Sequence, residues 1–231
     1  MQTVTPSSDV ADGRVSRETT AAVEAEPAVA ATLFGNASAV DQARRFTRAL
    51  AEQGEERGLI GPLELPRLWT RHVLNSVIAA PLFPVGRVGD VGSGAGLPGI
   101  VLAIARPDVQ WVLIEPMERR VAWLSEQVDA LGLSNVEIVR ARAEEWSEGA
   151  VLDAVTARAV SALRTLLPLT APLVRNGGEL IFLKGQNAQA EIDAAAKQLR
   201  TFNVVDTRVE LLGEGVVAEP TRALRGRIAR R

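Results

Sequence analysis

Apolar positions change their rhythm near residue 87. Upstream, Leu33, Phe34, Val40, Ala43, Phe46, Ala49 and Leu50 recur mostly three or four residues apart, the spacing that lines up side chains on one stripe of an α-helix. This predicts a helix over 31–57, stopped by Gly58 and Gly61-Pro62, and a second over 68–80, stopped by Pro81, since proline has no N–H to continue the ladder. Downstream, short β-type runs at 87–91, 111–114, 136–139, 154–157, 180–183 and 204–211 alternate with helical patterns at 97–105, 118–131, 161–174 and 187–199. Repeated β–α units of this size predict an α/β fold, a Rossmann-like, mostly parallel, doubly wound sheet whose ligands sit beyond the carboxyl ends of the strands. The organisation expected is a disordered leader at 1–30, which has no aromatic residue to bury, then an N-terminal helical cap at 31–84. A ligand-binding main domain follows at 85–219, and a basic strand or tail at 220–231. In that last segment arginine interrupts the apolar alternation, so it reads as a short edge strand or as a tail.

The densest chemical signal is Asp90-Val91-Gly92-Ser93-Gly94-Ala95-Gly96-Leu97-Pro98-Gly99, with four glycines in the eight residues from Gly92 to Gly99. Glycine admits positive φ and lets a ligand reach main-chain N–H groups, and a strand that turns through such a loop into a helix makes a cofactor cradle. Two registers compete. Gly94-x-Gly96-x-x-Gly99 with Glu115 downstream matches the dinucleotide fingerprint. Asp90-x-Gly92-x-Gly94-x-Gly96 puts an acid at the strand end and resembles motif I of the class I S-adenosylmethionine-dependent methyltransferases. That class uses an acid ending the second strand for the ribose hydroxyls, and Glu115 holds the position.

Composition narrows the choice. The 231 residues, 47% hydrophobic and 23% charged, suit one sizeable core with an appendage. The absence of cysteine removes disulfides, thiolate metal sites and cysteine nucleophiles. With one histidine, His72, and no tyrosine, a zinc site, a serine–histidine–aspartate triad or a tyrosine-dependent dehydrogenase has almost nothing to work with, and no metal is expected. Methyl transfer from a sulfonium asks mainly for positioning and exclusion of water. No run approaches a membrane span and no secretory leader is visible, so a cytoplasmic location is expected. The net charge of −2 gives no general attraction for nucleic acid. Even so, Arg222, Arg225, Arg227, Arg230 and Arg231 crowd the end without an acid, either as a solvated terminus or as phosphate contacts.

Four blocks then agree on something narrower: Gly92-Ser-Gly-Ala-Gly-Leu-Pro-Gly99 running on to Pro107, Arg71-His72-x-x-Asn75-Ser76, Glu118-Arg119-Arg120-Val121-x-Trp-Leu124 and Leu183-Lys184-Gly185-Gln186. Together they resemble the glucose-inhibited division protein B family, the small-subunit ribosomal RNA guanine-N7 methyltransferases. The resemblance implies a class I methyltransferase fold, S-adenosylmethionine as cofactor, and transfer to N7 of a guanine in the 530 loop of 16S rRNA, as naked RNA or within the small subunit. It places cofactor contacts on Gly92, Leu97, Ala143, Glu144 and Arg158, to which the general motif adds Asp90, Gly94, Gly96 and Glu115. It sets Arg71, His72 and Ser76 at the mouth to orient the base, with Arg71 and His72 as candidates for RNA contact. Lys184 joins them because ligand sites gather at strand ends, and Arg222 and Arg225 join them from the basic terminus. N7 carries a lone pair and no proton, so no general base is required.

Some readings stay open. His72 also reads as a packing residue, Arg158 as half of an ordinary ion pair, and the four tryptophans as core. Asn75 stands where the family usually has aspartate. An NAD-dependent oxidoreductase and a non-catalytic RNA-binding module on the same fold remain alternatives. Gly94→Val is expected to abolish cofactor binding by filling a turn with no room.

Overall fold

The computed structural model describes residues 22–146 and 151–230. Strands β1 (Arg87–Val91), β2 (Gln110–Ile114), β3 (Val136–Val139), β4 (Leu152–Arg158), β5 (Val174–Lys184), β6 (Val204–Leu212) and β7 (Thr221–Ile228) form one sheet in the order β3-β2-β1-β4-β5-β7-β6. The pairs among β1 to β5 are parallel, while β7 runs antiparallel between β5 and β6. The strand order reverses at β1, which pairs with β2 on one side and β4 on the other. That switch opens a crevice at the carboxyl ends.

Two apolar layers sandwich the sheet. On one face lie α1 (Val29–Phe34), α2 (Ala37–Gln53), α4 (Gly99–Ala105) and α5 (Glu118–Leu131), joined by Trp69, Val73 and Leu74 and by the strand residues Val88, Trp111, Leu113 and Ala154. On the other face lie α6 (Leu163–Thr170), α7 (Ala188–Ala194) and α8 (Ala196–Thr201), packed on Val91, Val112, Val155 and Phe182. The stripe read from the sequence is what α2 buries: Val40, Ala43, Phe46 and Leu50 are all at most 4% exposed. Burying a side chain of this size contributes about 1.5–3 kcal/mol.

Several expected elements differ in detail. The helix over 31–57 is two helices, because Gly35 takes φ 75° and Asn36 restarts the chain, its side chain accepting from Ala39 N at 2.9 Å. The helix over 68–80 begins as a wide π-helical stretch, Leu68–Leu74, and continues through the single turn α3 (Asn75–Val77) to a 3-10 turn at Ala80–Leu82. The helix over 187–199 breaks at Ala195 between α7 and α8.

Of the expected leader, 1–21 lies outside the described residues, as does Arg231 of the arginine cluster. The following stretch is held in place. Glu24 N donates to Leu65 O at 3.0 Å, the Glu24 carboxylate accepts from Thr70, and Glu26 pairs with Arg44 through both oxygens.

The arginine-rich end forms β7, which lies inside the sheet and is neither an edge nor a tail. Ala223, Leu224 and Ile228 are buried, and Arg225 is neutralised between Glu179 of β5 and Glu210 of β6. Cross-strand carboxylates are what let arginine interrupt the apolar alternation there. Among the described residues, no helix is long and apolar enough to cross a membrane.

Candidate functional site

The crevice is built from the end of β1 outward. Gly92 N and Ser93 N donate to Ile114 O of β2 at 2.9 and 3.3 Å, and Gly96 N returns to Ser93 O at 2.7 Å. The tight bend this requires puts Gly92, Gly94 and Gly96 at φ 73°, 53° and 92°, a region costly for other residues. Gly99 serves a different purpose: a Cβ there would overlap Leu113 and Asp90, so its glycine lets α4 seat directly on the sheet.

Asp90, expected to touch the cofactor, is fully buried and turned toward that helix. Its Oδ2 accepts from Gly99 N at 3.0 Å, while Oδ1 has no hydrogen-bond partner among the described residues. Burial pushes its carboxyl up to about 7, against the lowering effects of the Ser93 hydroxyl and of the Gly99 hydrogen bond. Asp90 therefore shapes the loop from beneath.

Gly94 is half-buried. A Cβ there would come no nearer than 3.7 Å to Gly92 O and 4.0 Å to Arg120, ordinary van der Waals contact, so a first side-chain atom fits where the expectation has no room, and the strain lies in its φ of 53°. The Gly94 N–H donates to Glu115 Oε2 at 2.9 Å, and Met117 N donates to Oε1 at 3.0 Å. Glu115 is thus fixed at the end of β2 by two main-chain donors, with further lone pairs left on both oxygens. Ala143, 6% exposed, packs with Val91, Val112 and Ile114 beside that strand end, and Leu97 is 9% exposed on the loop's far side. Glu144 is exposed next to Ala143.

The opposite wall comes from the cap. Arg158, the last residue of β4, donates to His72 O at 3.2 Å, to Ser76 Oγ at 3.3 Å and to His72 Nδ1. The other ring nitrogen of His72 meets Glu64 Oε2 at 2.6 Å. Burial and the Arg158 charge pull the imidazole down to about 4, so at neutral pH the ring is uncharged, accepting from Arg158 at Nδ1 and donating from Nε2 to Glu64. Burial works against the Glu64 carboxylate, but His72, Arg71 and Arg67 hold it below its usual range. Arg158 is drawn down to about 10, first by burial and then by the Arg71 charge. It forms no ion pair with a carboxylate among the described residues, so the ordinary ion-pair reading does not hold.

His72 and Ser76, expected to orient a base, are instead buried at 8% and 0% with their polar atoms engaged. They position Arg158. Of that trio only Arg71 reaches solvent, its Nε 3.6 Å from Glu64.

Two expected RNA contacts are likewise committed elsewhere. Lys184 Nζ donates to Ser161 O at 2.6 Å and to Glu191 at 2.9 Å, and Arg225 is held by Glu179 and Glu210. Arg222 sits across from Lys184 on β7, with no ion pair among the described residues. Sequence reasoning missed Glu64 and Glu191, whose surroundings carry no motif; eight and seven residues separate them from His72 and Lys184.

A sheet in this order, with a glycine loop after β1 and a carboxylate ending β2, defines the class I methyltransferase fold. Solved structures share that fold. The N-methyltransferase NodS of Bradyrhizobium japonicum WM9, in complex with S-adenosyl-L-homocysteine, matches with a TM-score of 0.53 at 16% identity, over 77% of this chain and 98% of that one. An S-adenosylmethionine-dependent O-methyltransferase of Thermotoga maritima matches with a TM-score of 0.52 at 19% identity, over 68% and 66%. The family model described as rRNA small subunit methyltransferase G matches residues 39–220, and the chain belongs to that family. Relatives named ribosomal RNA small subunit methyltransferase G include those of Leifsonia xyli subsp. xyli, 66% identical over 90% of this chain and 99% of the relative, and Clavibacter michiganensis subsp. michiganensis, 61% identical over 90% and 97%.

Proposed function

We propose that this protein transfers a methyl group from S-adenosylmethionine to N7 of a guanine in the 530 loop of 16S rRNA. The observation that carries the reading is the glycine turn after β1, whose positive-φ backbone at Gly92, Gly94 and Gly96 is tied to the Glu115 carboxylate at the end of β2, with Arg158 ending the neighbouring strand β4. These residues fit the cofactor. Glu115 has lone pairs for the ribose hydroxyls, the absent side chain at Gly94 leaves space for the methionyl part, and Arg158 lacks a counterion that a carboxylate supplies. Ala143 and Leu97 add apolar contact, with Glu144 at the rim.

When bound, S-adenosylmethionine supplies an activated methyl group and a neutral thioether as leaving group. The chain's own work is to hold donor and acceptor in line and keep water out. Guanine N7 brings its own lone pair, and the purine takes up the positive charge without losing a proton. The state of His72 agrees with such an acceptor: both ring nitrogens are spent on Glu64 and Arg158, so the single imidazole is not available as a base. Arg71 and Arg222 are the cations of the expected set that stay accessible to RNA phosphates.

The test is incubation of the protein with methyl-labelled S-adenosylmethionine and either naked 16S rRNA or small subunits from cells lacking it, followed by mass mapping of the modified guanine. One N7-methylguanosine in the 530 loop is expected. Label at another atom or in another RNA would replace the substrate, and binding of NAD in place of S-adenosylmethionine in calorimetry would replace the class.

A further inference from the structure

The turn that leaves β4 is unusual in three respects. Ala159 takes φ 55°, a left-handed conformation uncommon outside glycine and asparagine and often found where strain serves a site. The next residue, Val160, is 40% exposed, and its Cγ2 lies only 2.9 Å from where a Cβ on Gly92 would stand. The turn is also bolted down. Lys184 donates to Ser161 O and to Glu191, and Glu191 accepts from Leu163 N at 2.8 Å. An isolated hydrophobic side chain on a mobile loop needs no explanation. One held over the first glycine of the cradle by a strained turn, a lysine and a glutamate does.

A flat heteroaromatic acceptor needs an apolar face to lie on, and aromatic side chains usually provide it for unstacked RNA bases. None reaches this mouth among the described residues. Trp111 and Trp123 are fully buried, Trp69 is 4% exposed, Trp146 lies against Arg87 at the opposite end of β1, and the phenylalanines are packed in the two cores. The exposed large apolar side chains next to the crevice are Met117, two residues past Glu115 on the β2 side, and Val160 on the β4 side beside Arg158. On the reading above Glu115 takes the ribose and Arg158 the methionyl carboxylate, which leaves the exposed turn beyond β4 for the incoming base.

We infer that Val160 is the platform for the acceptor purine, presented by the αL turn at Ala159 and locked by the Lys184–Glu191 clamp. This rests on the methyltransferase reading above. It also gives Lys184 a task, holding the wall on which the base lies in place of touching RNA itself.

The experiment compares wild type, Val160→Thr and Val160→Asp for S-adenosylmethionine affinity by calorimetry and for kcat/KM of methyl transfer to unmodified small subunits. Threonine keeps the shape and changes one methyl to a hydroxyl, so that variant folds even if the aspartate one does not. The expected result is cofactor affinity within about twofold of wild type in both, with kcat/KM down about threefold for threonine and at least about 20-fold for aspartate. Undiminished kcat/KM in both variants overturns the inference while leaving the proposed reaction standing. Cofactor affinity falling in step with kcat/KM also overturns it, since the wall then belongs to the donor. A wild-type protein that methylates no small-subunit RNA removes the underlying reading, and this inference with it.

Discussion

Arg158 and Arg225 rest on the same sheet, half-buried, with surroundings of opposite character. In the β5–β7–β6 arm, Arg225 lies between Glu179 and Glu210, two carboxylates from the flanking strands. In the crevice, Arg158 meets an imidazole nitrogen, a carbonyl and a hydroxyl, all neutral. A cation between two anions is a fixture of the sheet. A cation kept only by neutral acceptors has a charge that no carboxylate balances.

The largest effect should come from exchanging these fates. Arg158→Leu is expected to lower kcat/KM by about 100-fold or more while shifting the unfolding free energy by no more than about 1 kcal/mol, since the hydrogen bonds lost at His72 and Ser76 are offset by removing a buried charge that has no ion-pair partner. Arg225→Leu should do the reverse, costing about 1–3 kcal/mol by leaving Glu179 without its cation and Glu210 with Arg208 alone, with the kcat of the folded fraction unchanged. Denaturant melts paired with methyl-transfer assays check both, and a loss of stability in Arg158→Leu larger than in Arg225→Leu would break the comparison.

Glycines sharpen the same contrast at the loop. Gly99→Ala forces a methyl into Leu113 and Asp90, and overpacking of this kind costs about 1–3 kcal/mol. At Gly94→Val the Cβ meets nothing closer than 3.7 Å, so the cost comes from its positive φ and should be about 1–2 kcal/mol. It should nevertheless remove cofactor affinity, because the side chain covers main-chain surface that the ligand needs. Calorimetry on a folded Gly94→Val protein decides this, and wild-type affinity there would exclude the loop as the cradle.

How far the sequence reached follows the range of the interactions concerned. The β–α alternation, the glycine turn and Glu115 were visible because each depends on residues adjacent in sequence or on a fixed motif spacing. Arg158 is a candidate from the resemblance alone, and the neutral acceptors around it are not legible, because Glu64, His72 and Ser76 come from another part of the chain, 94, 86 and 82 residues away in number. The same limit hid the inner position of β7. Its arginines look incompatible with a central strand until Glu179 and Glu210 are placed beside Arg225, and no local pattern announces that pairing. Its place at a strand end makes Lys184 an RNA-contact candidate, yet Glu191, one helical turn into α7, holds it.

The smallest expected effect separates floor from wall by titration. Asp90, beneath the loop, has its carboxyl raised from 3.8 to about 7. Between those values the folded state binds more protons than the unfolded one, so this group's contribution is complete below pH 3.8 and is lost as pH rises through 7. His72, in the wall, is lowered from 6.5 to about 4, so the unfolded state binds more protons in that window. Its contribution is complete above pH 6.5 and is lost as pH falls through 4. The two slopes oppose one another across most of the acid range, each at most about 1.4 kcal/mol per pH unit, and the wild-type protein should show little net dependence from these sites between pH 4 and 6.5. Asp90→Asn keeps an oxygen for Gly99 N–H and removes one slope. Its stability relative to wild type should then rise steadily from pH 4 to pH 7, by on the order of 1 kcal/mol or more. Urea melts at half-unit intervals read this directly, and a variant whose difference from wild type stays constant with pH would show that the Asp90 carboxylate is charged in its buried position and that Oδ1 is compensated in the folded protein.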